Sequence, residues 1–199
     1  MWIWKEPAPA KEYYFGIDSS EGVGADNSCI QVIEVESKEQ VAEFYSNVIT
    51  PYEFAQVIYE LAILYNNALL IIEEMSAGLS VINTLQNELY YDNFYYANPD
   101  SKNPRVGIKT TVANRPLILT SFQTAILQKS IKMNSIRLLQ EMKCFEYNST
   151  TKKPKAQKGK HDDANMALSM CLYVMGTLNK NQPAGFDGKK TTNINILVA

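Results

Sequence analysis

Residues Ala68 to Glu73 read Ala-Leu-Leu-Ile-Ile-Glu, an unbroken apolar run that closes on a carboxylate. Four large aliphatic residues in succession suit a strand buried on both faces, because a strand with one wet face would alternate. Ahead of this run Phe54, Val57, Ile58, Leu61 and Leu64 or Tyr65 recur at helical spacing behind Pro51, with Thr50 placed to cap the first turn. A strand that directly follows a helix and is buried on both sides belongs at the centre of a layered α/β fold, parallel to an earlier strand. The earlier strand is Tyr13 to Asp18, which also ends in a carboxylate. The turn-rich segment Ser19 to Asn27 leads from it to apolar runs at Cys29 to Val35 and Val41 to Val48, so three consecutive strands form an antiparallel meander.

Beyond Gly78 the pattern predicts a helix to about Tyr91, a short strand at Phe94 to Tyr96, a polar stretch with Pro99 and Pro104, and helices near Asn114 to Lys129 and Ser135 to Cys144. Phe145 to Lys160 reads as a hairpin or loop with a lysine-rich tip. Asp162 or Asp163 then opens a last helix with Ala164, Ala167, Leu168, Cys171 and Met175 on one face. The aromatic cluster Tyr90, Tyr91, Phe94, Tyr95 and Tyr96 reads as alternating burial around a strand rather than as a stacking surface for bases. With 199 residues, 46% of them hydrophobic, one core is expected, over residues 1–178, with a flexible polar tail at 179–199. This β-β-β-α-β order, followed by alternating helices and strands, describes a ribonuclease-H-like fold: a mixed α/β sheet of antiparallel meander plus parallel strands, flanked by helices.

An aspartate after an apolar strand is by default a turn former, and one before a helix a cap worth about 0.5–2 kcal/mol. Repetition changes the reading. Asp18 and Glu73 end two strands that would lie side by side and parallel, at the sheet edge where open α/β sheets bind ligands. One of Asp162 and Asp163 can cap the last helix while the other completes a three-carboxylate site. Glu74, one residue beyond Glu73, should face the opposite side. Carboxylates brought that close raise one another's pKa, a cost relieved by a divalent cation between them. All-oxygen ligation selects Mg²⁺ or Mn²⁺, and two such ions about 3.5–4 Å apart would suit in-line displacement at phosphorus. Catalytic and metal-ligating roles thus fall to Asp18, Glu73, Asp162 and Asp163. His161, the only histidine, directly precedes the pair and reads equally as a proton carrier beside the site or as a surface residue before a helix.

The net charge of -2 gives no polycation, so contact with nucleic acid must come from a local patch. Lys152, Lys153, Lys155, Lys158 and Lys160 supply one immediately ahead of the acidic helix, extended by Lys109 and Arg115. Three scattered cysteines, in no CxxC spacing, read as free thiols of a reducing compartment rather than a zinc or disulfide framework. No stretch has the length and apolarity of a membrane span, and the expectation is a soluble intracellular protein.

Taken together, several segments resemble the nuclease domain of the large terminase subunit of tailed bacteriophages. Gly16-Ile17-Asp18-Ser19-Ser20-Glu21-Gly22-Val23-Gly24-Ala25-Asp26 is similar to that family's first nuclease motif. Ile72-Glu73-Glu74-Met75 with Gly78, Lys109-Thr110-Thr111, Asn114-Arg115-Pro116 and Gly159-Lys160-His161-Asp162-Asp163 follow in the family's order. Glu74-Met75 stands where many relatives carry a nonacidic residue followed by Asn, which leaves the choice between Glu73 and Glu74 open. The resemblance implies a metal-dependent endodeoxyribonuclease that cuts concatemeric double-stranded viral DNA at the initiation and completion of genome packaging. Its implied ligands are Asp18, Glu73 and the Asp162/Asp163 pair, with Glu21 and Asp26 as accessory acids. It further implies a terminase ATPase domain, a small terminase subunit and the portal protein as partners, in the cytoplasm of an infected bacterial host and transiently at the procapsid portal. These residues hold no Gly-x-x-x-x-Gly-Lys-Ser/Thr loop, so ATP hydrolysis is not expected of them. Other readings are a Holliday-junction resolvase or transposase-like nuclease, which would prefer branched or donor DNA, and a non-catalytic docking module. A sugar kinase of related topology would need a second phosphate loop that the chain is too short to hold.

Overall fold

The computed structural model describes residues 1–147, 154–157 and 161–181. Its main sheet has five strands in the order β1-β4-β3-β2-β5. Strands β2 (Tyr13–Asp18), β3 (Ser28–Glu34) and β4 (Glu39–Ser46) form the expected antiparallel meander. Strand β5 (Leu69–Ile72) lies parallel to β2, with Tyr14 opposite Leu69 and Ile17 opposite Ile72. The sheet gains an edge strand that sequence patterning does not reveal: β1 (Trp2–Ile3) pairs antiparallel with β4. Two residues carry no periodicity, and only the unpaired edge of β4 gives them a strand conformation.

Helix α1 (Pro51–Leu64) starts as read. Thr50 accepts from the Glu53 backbone N–H while the Glu53 carboxylate accepts from the Thr50 N–H, a capping box with Pro at the first turn. Helix α2 (Ala77–Asn87) ends four residues short of Tyr91, after which Phe94 and Tyr96 make isolated bridges to Leu70 and Val106 in place of the expected strand. Helices α3 (Arg115–Leu127), α4 (Ile136–Lys143) and α5 (Asp163–Asn181) follow, with a small hairpin of β6 (Phe145–Tyr147) and β7 (Pro154–Ala156) between α4 and α5. Among the described residues no helix is long and apolar enough to cross a membrane. Residues 182–199, most of the expected tail, lie outside the described residues.

The sheet divides two apolar layers. Phe15, Ile17, Leu70 and Ile72 face α1 and α2 with Phe54, Ile58 and Leu85, whereas Cys29, Ile33 and Ile71 face α3 and α5 with Ile118, Leu168 and Val174. Alternate residues of β5 enter opposite layers, so its continuous apolar run is used on both faces. Tyr91 and Phe94 are buried and stack edge to face, while Tyr90 is exposed. The aromatic run is therefore mainly core, as patterning suggests.

Candidate metal centre

The parallel register brings the two strand-ending acids together. Ile17 and Ile72 are partners, the Glu73 N–H donates to the Ile17 carbonyl at 3.0 Å, and Asp18 and Glu73 leave the sheet side by side. Helix α5 crosses the same strand at close range, because Gly16 leaves nothing between them: a Cβ there would lie 1.9 Å from the Ala167 carbonyl oxygen. That approach carries the start of α5, and with it Asp162 and Asp163, to the end of β2. Gly78 does the same for α2, where a Cβ would lie 1.9 Å from the Glu73 carbonyl oxygen.

Asp18, Glu73, Asp162 and Asp163 line one open pocket, together with Glu21, Asp26, Asn27 and Ser76. Burial pushes the Asp18 carboxyl well above the usual carboxylate range, and the Glu73 and Asp163 charges, a hydrogen bond with Glu73 and the Asp162 charge push it further the same way. Burial also raises Asp163, against two hydrogen bonds that favour its ionised form, both at 2.8 Å to Oδ2, from the Asn27 backbone N–H and Nδ2. Asp162 stands at the N-cap position of α5, its carbonyl accepting from the Met166 N–H at 2.8 Å. Its carboxylate turns to Arg115, whose Nη2 donates at 2.5 Å.

The tightest three-donor group among the described residues is not the expected trio. Ligand atoms of Asp26, His161 and Asp163 all lie within 4.8 Å of one another, with His161 Nδ1 at 3.6 Å from Asp26 Oδ1 and 3.8 Å from Asp163 Oδ2. Asp163 thus stands at ligand spacing with Asp26 and His161, whereas with Asp18 and Glu73 it shares the pocket lining without such a group among the described residues. Glu21 accepts from the Ser76 hydroxyl at 3.0 Å on the pocket rim. Glu74 is outside the pocket: Arg105 holds its Oε1 through Nε at 3.0 Å and Nη2 at 2.5 Å. Oxygen donors from several carboxylates, with Asp18 pushed up by burial and by the acids around it, fit a hard divalent cation, and a single imidazole at the edge also admits Mn²⁺ or a transition ion.

Lys109 is exposed and follows Ile108, which bridges Glu73 at the same sheet edge. An Asx-type loop fixes what comes next: Asn114 Oδ1 accepts from the Thr111 N–H and hydroxyl at 2.7 and 3.0 Å, and its Nδ2 donates to the Lys109 carbonyl at 2.9 Å. Arg115, expected to face phosphate, is held on Asp162. Lys155 falls in β7, whereas Lys152, Lys153, Lys158 and Lys160 lie outside the described residues.

Two participants escape the sequence reading. Asn27 looks like a turn residue, and its grip on Asp163 joins positions 136 apart. Glu141 is not singled out by the sequence, yet it is 7% exposed and accepts from the Asn165 backbone N–H at 3.1 Å and the Tyr45 hydroxyl at 3.0 Å. It thereby satisfies an otherwise unpaired N–H in the first turn of α5. Burial raises its carboxyl to about 7.

The sequence pattern of the family described as the terminase RNaseH-like domain matches residues 15–174. Among solved structures, the large terminase nuclease of thermophilic phage G20c with bound magnesium superposes with a TM-score of 0.71 at 15% identity, over 85% of each chain. The nuclease domain of the Thermus phage P74-26 large terminase gives 0.68 at 14% identity over 85% of this chain and 82% of that one. The large terminase nuclease domain of bacteriophage SPP1 with bound Mn gives 0.53 at 10% identity over 82% and 86%.

Proposed function

The chain belongs to the terminase RNaseH-like domain family, and from that premise we propose that it is a divalent-metal-dependent endodeoxyribonuclease that cuts concatemeric double-stranded viral DNA when packaging starts and ends. The observation that carries this reading is the gathering of four carboxylates from β2, β5 and the start of α5 in one pocket, with Asp18 driven upward by burial and by its neighbours' charge. Solved structures of similar fold are described as nucleases with bound magnesium, cobalt, zinc or Mn.

In this reading Asp18, Glu73 and Asp163 would hold one ion, and Asp163 with Asp26 and His161 would hold a second. Bound there, such ions would lower the pKa of a water and stabilise both the entering and the leaving oxygen of a phosphodiester displacement. The chain's own residues supply orientation. Asn27 fixes Asp163, Arg115 fixes Asp162 or releases it to meet a phosphate, and Lys109 offers a cation at the pocket edge for the DNA backbone. Lys152, Lys153, Lys155, Lys158 and Lys160 extend that contact. His161 Nδ1 faces Asp26 and Asp163. The terminase ATPase domain, the small subunit and the portal are the partners, in the cytoplasm of an infected bacterium and transiently at the procapsid portal.

The test is digestion of supercoiled plasmid by the purified chain with Mg²⁺, Mn²⁺ or EDTA, beside Asp18→Asn and Glu73→Gln. Metal-dependent linearisation, absent in EDTA and in both variants, is the expected result. Cleavage that persists in EDTA or in both variants overturns the assignment.

A further inference from the structure

Between α3, α4 and α5 lies a groove of about 130 Å³, walled by Leu119, Phe122, Gln123, Ile126, Met142 and Phe145. Asn165, 2% exposed, also lines it. Its backbone is fully used: the N–H donates to Glu141 and the carbonyl accepts from the Ser169 hydroxyl. Its carboxamide is not, for neither Nδ2 nor Oδ1 has a hydrogen-bond partner among the described residues. A buried, unpaired amide is costly, and Asn is a poor helix former, so this position weakens α5 on two counts where a leucine would weaken it on neither. Such a residue in a mostly apolar wall points to a partner that arrives from outside.

Size, polarity and shape define that partner. A void of about 150 Å³ lined by Leu, Ile and Phe takes one benzene ring, so the groove suits a single six-membered ring rather than a fused pair. No ionisable side chain lines it among the described residues, which disfavours phosphate or carboxylate. Phe122 and Phe145 offer aromatic surface. The free carboxamide presents an acceptor beside a donor, matching the N3 and N4 edge of cytosine or the N3 and O4 edge of thymine. Asn165 stands two residues along α5 from Asp163, so the groove and the acidic pocket share the first turns of one helix.

We propose that this groove binds a pyrimidine base swung out of the DNA strand. The ring class follows from the groove alone, and its source in DNA rests on the nuclease reading. Extrusion of a base into a protein pocket is a known way for enzymes to hold a nucleotide, least costly where the base is already unpaired.

The test follows the Asn165 side-chain amide, and in every variant the backbone amides of Phe122 and Phe145 in the groove wall, by NMR in the ¹⁵N-labelled chain during titration with deoxycytidine and thymidine in EDTA. Saturable shifts are expected, with affinity at least tenfold weaker in Asn165→Leu and lost in Met142→Trp, which fills the groove and keeps the amide. Asn165→Leu should unfold at the same temperature as wild type or higher. Unmoved Asn165 signals at millimolar nucleoside, equal binding of benzene or deoxyadenosine, or full affinity in Met142→Trp would overturn the site. A second arm compares duplexes with one unpaired cytosine or one abasic position, again in EDTA. At least tenfold preference for the cytosine duplex supports the DNA source, and equal binding overturns it. Neither arm uses cleavage, so failure of the nuclease reading would show separately in the plasmid assay.

Discussion

Replacing Gly16 with alanine puts a methyl group where α5 already touches β2. The added Cβ would stand 1.9 Å from the Ala167 carbonyl oxygen, 2.7 Å from its carbon and 3.2 Å from the Cys171 Cβ. The first two are backbone atoms of a buried helix and cannot rotate aside. Raising 1.9 Å to the 3.0 Å that real Cβ contacts respect requires α5 and β2 to separate by about 1.1 Å. Overpacking of this kind costs about 1–3 kcal/mol of stability. The displaced helix carries Asp162 and Asp163, and a misplacement of about 1 Å can cost roughly 10²-fold in rate. Gly16→Ala should therefore lower the urea midpoint by an amount equivalent to about 1–3 kcal/mol and reduce Mn²⁺-dependent plasmid nicking on the order of 100-fold. Gly176→Ala is the control, since a Cβ there meets nothing within 4 Å. At that exposed helical position alanine should stabilise by about 0.5–1 kcal/mol and leave nicking unchanged. A Gly16→Ala protein with wild-type stability and wild-type nicking would refute the claim that this contact places the acids.

Asn27→Ala removes the side-chain donor to Asp163 and keeps the backbone one; it should destabilise by about 1–3 kcal/mol and move the acid limb of the cleavage profile to higher pH, because the lost donor helps hold the Asp163 carboxyl down. An unchanged pH profile would assign Asn27 to the fold alone. Glu141→Gln addresses pH and stability. The buried Glu141 carboxyl titrates near 7 in the folded chain against an ordinary 4.5, so unfolding is favoured as pH rises through that window, and the penalty reaches about 3 kcal/mol above it. Glutamine can accept from the Asn165 N–H and donate its amide to the Tyr45 hydroxyl oxygen without ionising, so the variant should gain stability over wild type between pH 5 and pH 8 in parallel urea titrations; a constant difference across that range contradicts the assignment. Thr50→Ala breaks the α1 capping box and should cost about 0.5–2 kcal/mol with no change in cleavage per folded molecule.

The parts legible in sequence are those set by local rules. The apolar runs before Asp18 and Glu73 define both strands, and one register decision puts the two acids side by side. Thr50, Pro51 and Glu53 mark the start of α1 in residues that contact one another. What sequence hides depends on distant partners. Trp2 and Ile3 form a strand only because β4 has a free edge, and Phe94 to Tyr96 make only isolated bridges because their neighbours, Leu70 and Val106, pair at single points. Glu141 and Asn27 acquire their roles from α5, which lies far along the chain, and no spacing rule links them to it. The acids that end β2 and β5 and open α5 line one pocket, while the finer partition, with Arg115 on Asp162 and Asp26 beside His161, is set by how α3 and α5 begin.

The most direct measurement is anomalous diffraction from crystals of the chain soaked in Mn²⁺. The account predicts manganese in the pocket between Asp18, Glu73 and Asp163, with any second peak beside Asp26 and His161, and loss of the first peak in Asp18→Asn. Manganese confined to other surface acids, or a pocket peak that survives in Asp18→Asn at full height, contradicts it.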